Sequence, residues 1–156
     1  MDNTLKEFIF GMKEELMLFH LLNDEEVEQV ISYLEVVSYP GGSTLFREGE
    51  PGGFIAFILS GLLEVKKQTE FEGRQIVLGT LKKGSFIGET SLINAKEPRA
   101  ATVVVVEDSQ LVLLKSDALE SLMEKYPYIG IKILKGLIRI ITIRLLKALD
   151  KLKVLF

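Results

Sequence analysis

The sequence predicts a mainly β domain, an antiparallel sandwich or barrel with helices at both ends. Three observations point to it. From Val36 to Lys115 the chain gives short β-branched and aromatic runs broken by Gly, Pro and acidic turn signals. On either side of that stretch, apolar residues recur at helical spacing. No crossover helix separates the short runs, which argues against a parallel α/β sheet.

The elements follow in chain order. Leu5, Phe8, Ile9, Met12 and Leu16 share one face of a helix expected over residues 2–18. Asn23, with Glu26 three residues later, has the form of a capping box. It opens a second helix with Val27, Val30, Ile31 and Leu34 on one side. Strands are expected at 36–39, 44–46, 54–60, 62–69, 74–81, 101–106 and 110–115. The breaks between them include Pro40-Gly41-Gly42, Pro51-Gly52-Gly53, Ser60-Gly61, Glu72-Gly73, Lys83-Gly84 and Glu107-Asp108. Asp117 and Glu120 mark a short helix ending near Lys125. Pro127 then suits a helix start, where its missing N–H costs nothing, and a long helix runs to the end of the chain.

Composition narrows the chemistry. The 156 residues suffice for one domain, divided into N-terminal helices (1–35), a β-barrel (36–115) and C-terminal helices (116–156). With no Cys and a single His, His20, the chain has no disulfide, no thiolate or His-cluster metal centre and no cysteine nucleophile. His20 reads as structural. No catalytic constellation is visible, so an enzyme is not expected, nor is a cofactor or metal. The longest uncharged stretch, Pro51–Leu63, is thirteen residues broken by three glycines. A spanning helix needs about 20 apolar residues, so no transmembrane segment is expected. The start of the chain lacks the basic and apolar runs of a secretion signal, and a cytoplasmic location is expected.

Residues 86–102, FIGETSLINAKEPRAAT, hold the chemistry. Gly88 permits close approach of a ligand or a second backbone. Thr90 to Asn94 can form one helical turn whose first N–H groups face an anion. Pro98 fixes the backbone before Arg99, and Ala100 and Ala101 leave room beside it. One guanidinium with several N–H donors matches a phosphodiester monoanion. The carboxylate of Glu89 would repel a phosphate but accepts well from a sugar hydroxyl. Together they suit a nucleotide with one phosphate charge and a free 2′-OH. The plainer reading is a surface ion pair between Glu89 and Arg99 beside a turn.

Gly88, Glu89, Ser91 and Leu92, followed by Pro98-Arg99-Ala100-Ala101-Thr102, resemble the phosphate-binding cassette of the cyclic-nucleotide-binding domain family. That family includes bacterial catabolite activator proteins and the regulatory subunits of cAMP-dependent kinases. The turns from Pro40 to Gly52 and the run Phe57-Ile58-Leu59-Ser60-Gly61 resemble its upstream pattern, so the likeness covers roughly residues 16–155. It implies an eight-stranded jelly roll, with Arg99 on the cyclic phosphate and Glu89 on the ribose 2′-OH. Backbone groups of Gly88, Thr90, Ser91 and Ala100 complete the implied site. The chain departs from the pattern at Thr90, usually Leu or Met, and at Ile87, which adds bulk before Gly88. Ala100 lacks the hydroxyl that holds guanine in the syn form, which implies cAMP over cGMP. Thr142 and Arg144 are the candidates for a contact to the base. Activator relatives continue into a DNA-reading winged helix, and specific DNA binding is not expected of this chain. A module that keeps the shape but binds no nucleotide is the alternative.

The last helix has a wide apolar face centred on Leu134, Leu137, Ile141, Leu145, Ala148, Leu152 and Leu155 and widened by Ile133, Ile138, Ile140 and Leu149. It covers about half the circumference, more than the roughly 100° that one supporting surface needs. A second partner is implied, namely the same helix of another subunit in a homodimer. Residues 129–156 carry seven basic groups against Asp150, giving +6 where the rest of the chain carries −9. That basic stripe is either a solvated outer face or a contact for anionic lipid or nucleic acid.

Overall fold

The computed structural model describes residues 3–12, 19–92 and 94–153, with side chains for 5–10, 19–91 and 94–153. The chain divides into two compact units. One is formed by residues 33–121, the other by residues 1–32 with 122–156.

The first unit is the β-structure. Strands β1 (Glu35–Tyr39), β2 (Thr44–Phe46), β3 (Phe54–Gln68), β4 (Gln75–Leu81), β5 (Phe86–Ile87) and β6 (Thr102–Lys115) pair antiparallel throughout. The order is β1-β6-β3-β4, with β2 also on β6 and β5 also on β3. Six strands stand where the sequence predicts seven: two pairs of expected strands are continuous, which leaves five, and the short β5 was not expected. Ser60-Gly61 lies within β3 and Glu107-Asp108 within β6, and the two fall opposite each other. There the ladder shifts register repeatedly, from Ile58↔Leu111 to Leu63↔Val105. These turn signals therefore mark bulges that bend a long two-stranded ribbon, not strand ends. Gly61 has φ +103°, and an added Cβ would overlap the Ser109 hydroxyl. That hydroxyl accepts from Leu62 N at 3.2 Å and donates to the Glu107 carbonyl at 2.7 Å, which holds the bulge.

The core of this unit lies between the inward faces of β2, β3 and β6. Phe46, Ala56, Ile58, Leu63, Val103, Val105 and Leu111 are all buried there. Each fully buried branched side chain of this size stabilises by about 1.5–3 kcal/mol. Residues 55–59 are buried without alternation, so both faces of this part of β3 are covered. β4 is the opposite case, with Gln75 through Thr80 all exposed.

The second unit is helical. α1 (Asn3–Met12) buries Leu5, Phe8 and Ile9, as the spacing requires, while Leu16 lies outside the described residues. α2 (Asp24–Ile31) opens on the expected capping box: Glu26 N donates to Asn23 Oδ1 at 2.8 Å, and Asn23 N to Glu26 Oε1 at 3.1 Å. It ends before Leu34, which follows it half-buried. Lys132 Nζ donates to Glu26 Oε1 at 2.6 Å.

α3 (Ser116–Lys125) starts in the β unit and ends in the helical one. Tyr126 N still reaches the Leu122 carbonyl at 2.7 Å before Pro127 opens α4 (Pro127–Lys153). On α4 the buried line is Ile129, Ile133 and Leu137. Of the residues expected at the centre of its apolar face, only Leu137 is buried. Leu134, Ile141, Leu145, Ala148 and Leu152 are exposed, and Leu155 lies outside the described residues. A face spanning half the circumference has two edges, and the helical wheel does not say which one packs. Among the described residues, no helix is long and apolar enough to cross a membrane.

Candidate functional site

The predicted cassette folds as β5, a single 3-10 turn (Glu89–Leu92) and, over residues 94–101, a run of turns and bends that leads into β6. The helical turn expected at Thr90 to Asn94 begins one residue earlier, and Ile93 lies outside the described residues. Gly88 has φ +97°, and a Cβ there would stand 2.7 Å from both Arg99 Nη1 and the Phe54 carbonyl. Only glycine fits without displacing the guanidinium. Ile87 pairs with Ala56 in the ladder and is packed in part against the core, and it also lines the cavity beside Gly88.

The return segment is fixed by its neighbour in the preceding loop. Arg99 N donates to the Glu50 carbonyl and Gly49 N to the Arg99 carbonyl, each at 2.8 Å. Gly52 N reaches the Glu97 carbonyl at 2.8 Å, and Pro51 bridges Pro98. Glu48 adds a second clamp. Its N–H donates to Thr102 Oγ1 at 2.9 Å, and its carboxylate accepts from Lys67 Nζ at 2.8 Å and Gln68 N at 2.9 Å. Lys67 also donates to the Ala100 carbonyl at 2.7 Å. The two stretches that carry the family likeness are thus zipped together, with Arg99 at the seam.

The Arg99 side chain is 3% exposed. Nη1 donates to Ser91 Oγ and Nη2 to the Phe54 carbonyl, both at 3.0 Å. The guanidinium also lies against the rings of Phe46 and Phe54. Its Nε is buried with no hydrogen-bond partner among the described residues. Loss of solvent lowers its pKa, and the nearby charges of Glu89 and Glu50 oppose that shift. A guanidinium starts so far above neutrality that it stays cationic. The result is a buried positive charge with a spare N–H, beside a cavity of about 70 Å3.

Gly88, Glu89, Thr90, Arg99 and Ala100, five of the six residues predicted for ligand binding, line that cavity together with Phe46. Ser91 is not in its lining. Its N–H is taken by the Gly88 carbonyl at 3.0 Å, and its buried hydroxyl holds Arg99 from behind. Thr142 and Arg144 lie on exposed stretches of α4, with the Thr142 hydroxyl donating to the Ile138 carbonyl at 2.8 Å. His20 is exposed, and no metal-binding group of His, Cys, Asp or Glu occurs among the described residues.

Sequence reading missed Phe46 and Phe54, which read as ordinary strand residues. A charge-free aromatic on each side of the Arg47–Gly53 turn was the available signal, but only register brings both rings to Arg99.

The family profile described as "Cyclic nucleotide-binding domain" matches residues 36–126. The cyclic AMP receptor protein of Thermus thermophilus is 33% identical over 113 residues, covering 72% of this chain and 51% of that protein. A cAMP-dependent protein kinase regulatory subunit of Aspergillus fumigatus is 34% identical over 110 residues, 70% of this chain and 25% of that one. The chain therefore spans about half the length of the first relative and a quarter of the second. Among solved structures, a cyclic nucleotide-binding domain from Methylobacillus flagellatus superposes with a TM-score of 0.82 at 29% identity. It covers 94% of this chain and 81% of that one. Domains of this type have a jelly-roll fold, and the antiparallel β unit with flanking helices is that fold. Sequence profile and architecture agree: the chain belongs to the cyclic nucleotide-binding domain family, a family of regulatory ligand-binding modules.

Proposed function

We propose that the chain is a cyclic-nucleotide sensor, with cAMP as its preferred ligand, in which Arg99 meets the cyclic phosphate and Glu89 the ribose 2′-OH. One observation carries this reading: a guanidinium nine-tenths buried, with an unpartnered Nε, stands beside a cavity that Gly88, Glu89 and Thr90 line. A monoanionic diester matches one cation. Gly88, Thr90 and Ala100 border the same space, and Ala100 offers no hydroxyl to a guanine. The T. thermophilus and A. fumigatus relatives are a cyclic AMP receptor and a cAMP-dependent kinase subunit by name, which supports the choice of ligand. Occupancy shifts α4, because a ligand that prefers one arrangement of the cassette selects the helix position joined to it. The module works in the cytoplasm as a homodimer through the exposed apolar residues of α4, with Thr142 and Arg144 as candidate base contacts.

Calorimetric titration with cAMP and cGMP, wild type beside Arg99→Ala, tests the reading. The expected result is cAMP binding tighter than cGMP, weakened about 100-fold or more in the variant, on the scale of two charge-assisted hydrogen bonds. No binding of either nucleotide at millimolar concentration, or unaltered affinity in Arg99→Ala, overturns it.

A second reading is an effector-free dimerisation module. The small cavity favours it, since about 70 Å3 is well under the roughly 300–1,000 Å3 of small-molecule sites. It predicts dimers by light scattering that ignore nucleotide. A nucleotide-dependent rise in melting temperature excludes it.

A further inference from the structure

We infer that Lys67 is a positioning residue for the ligand's phosphate: its ammonium fixes the peptide that follows Ala100, and with it the direction of N–H donors beside the cavity. The inference deepens the reading of Arg99 as the phosphate contact and rests on it.

Lys67 is a charged residue on the inner face of the β unit. Leu63 is buried and Val65 packs against the core. Lys67, two residues further along β3, falls on the same face. Lys66 falls on the opposite one, where its ammonium lies 3.5 Å from the Glu64 carboxylate. A half-buried lysine that faces inward needs acceptors. This one has two, the Glu48 carboxylate at 2.8 Å and the Ala100 carbonyl at 2.7 Å.

These bonds close a ring. Glu48 is followed by Gly49, whose N–H donates to the Arg99 carbonyl at 2.8 Å. Arg99 is followed by Ala100, whose carbonyl leads through Lys67 back to Glu48. Two consecutive peptides, Arg99–Ala100 and Ala100–Ala101, therefore have their carbonyls held by one ring. A trans peptide points its N–H away from its C=O, so holding these carbonyls also fixes the N–H groups of Ala100 and Ala101. Both alanines line the cavity together with Arg99. Donors set in advance receive an anion without a further loss of conformational freedom. Gly49 contributes only backbone to the ring, so the ammonium is the link to the Ala100 carbonyl that a single substitution deletes.

Calorimetry and amide NMR on the full chain test this. Lys67→Met removes the donor and keeps the length of the side chain. It is expected to bind cAMP about tenfold more weakly than wild type, the fold-change of one hydrogen bond to a charged group. Lys67→Arg, which keeps a cationic donor, stays within about threefold. Lys66→Met removes the same charge from the outer face and stays within about twofold, which separates positioning from the general attraction of a cation for an anion. Damage to stability alone would not move the amide signals. In the wild type, saturating cAMP shifts the Ala100 and Ala101 amide protons downfield, as new hydrogen bonds do, and in Lys67→Met at saturation those shifts shrink. Affinity of Lys67→Met within twofold of wild type, identical amide shifts in the two proteins, or an equal loss in Lys66→Met overturns the inference and leaves the reading of Arg99 standing. A wild type that binds no cyclic nucleotide overturns both.

Discussion

The guanidinium carbon of Arg99 lies 4.0 Å from the centroid of the Phe46 ring. Phe54, whose ring meets that of Phe46 edge to face at 6.1 Å, stands 4.6 Å from the same carbon. Aromatic faces attract a cation by about 0.5–2 kcal/mol without neutralising it. The rings thus hold the charge in place and out of water, with the charges of Glu89 and Glu50 nearby.

Glu89 is tested by pairing a protein change with a ligand change. If it accepts the 2′-OH, 2′-deoxy-cAMP binds the wild type roughly five- to tenfold more weakly than cAMP, the scale of one hydrogen bond to a charged group. In Glu89→Ala the two nucleotides bind alike. A full preference for cAMP in that variant removes Glu89 from the ribose.

Gly88 and Gly61 separate site geometry from fold geometry. Gly88→Ala forces a side chain at φ +97° into Arg99 Nη1 and the Phe54 carbonyl. It is expected to lower stability by about 1–3 kcal/mol and also to weaken nucleotide binding more than tenfold. Gly61→Ala meets the Ser109 side chain at the bulge, away from the cavity lining. It should destabilise to a similar degree and leave affinity within about threefold, by denaturant titration and calorimetry.

Glu48 gives the acid limb of stability a specific source. Its hydrogen bonds from Lys67 and the Gln68 amide hold its pKa below the ordinary 4.5, against a smaller opposing effect of desolvation. A carboxyl depressed in the folded state contributes stability that is complete above 4.5 and is lost as pH falls through the folded value. Glu48→Gln is therefore expected to melt below wild type at neutral pH, with the gap closing in acid. A gap that stays constant down the acid range would remove Glu48 from the clamp.

The distal half of α4 is tested by charge. Ile138 and Leu145 are 64% and 58% exposed. If a second copy covers them, the double variant Ile138→Glu/Leu145→Glu shifts the mass by light scattering towards the 17.5 kDa of one chain. Its melting temperature at low protein concentration should then match that of the wild type. A monomeric wild type sinks the dimer.

Much of this protein is legible as sequence because its signals are local. The Asn23–Glu26 capping box, the Pro127 helix start and the alternation of short β segments with turn residues each depend on neighbours within a few positions. Gly88, Glu89 and Arg99 were equally legible, because one short segment holds them all. The boundaries at Ser60-Gly61 and Glu107-Asp108 were misplaced, since a glycine that bends a paired strand and one that ends it look alike until the partner strand is known. Which edge of α4 packs was not legible for a related reason: an apolar face half a turn wide admits more than one neighbour. Tertiary structure alone turned Ser91 away from the cavity and brought Phe46 and Phe54, from two different strands, against Arg99. Long-range register sets those contacts, and it is fixed by the whole ladder between β3 and β6, not by the residues that make the contact.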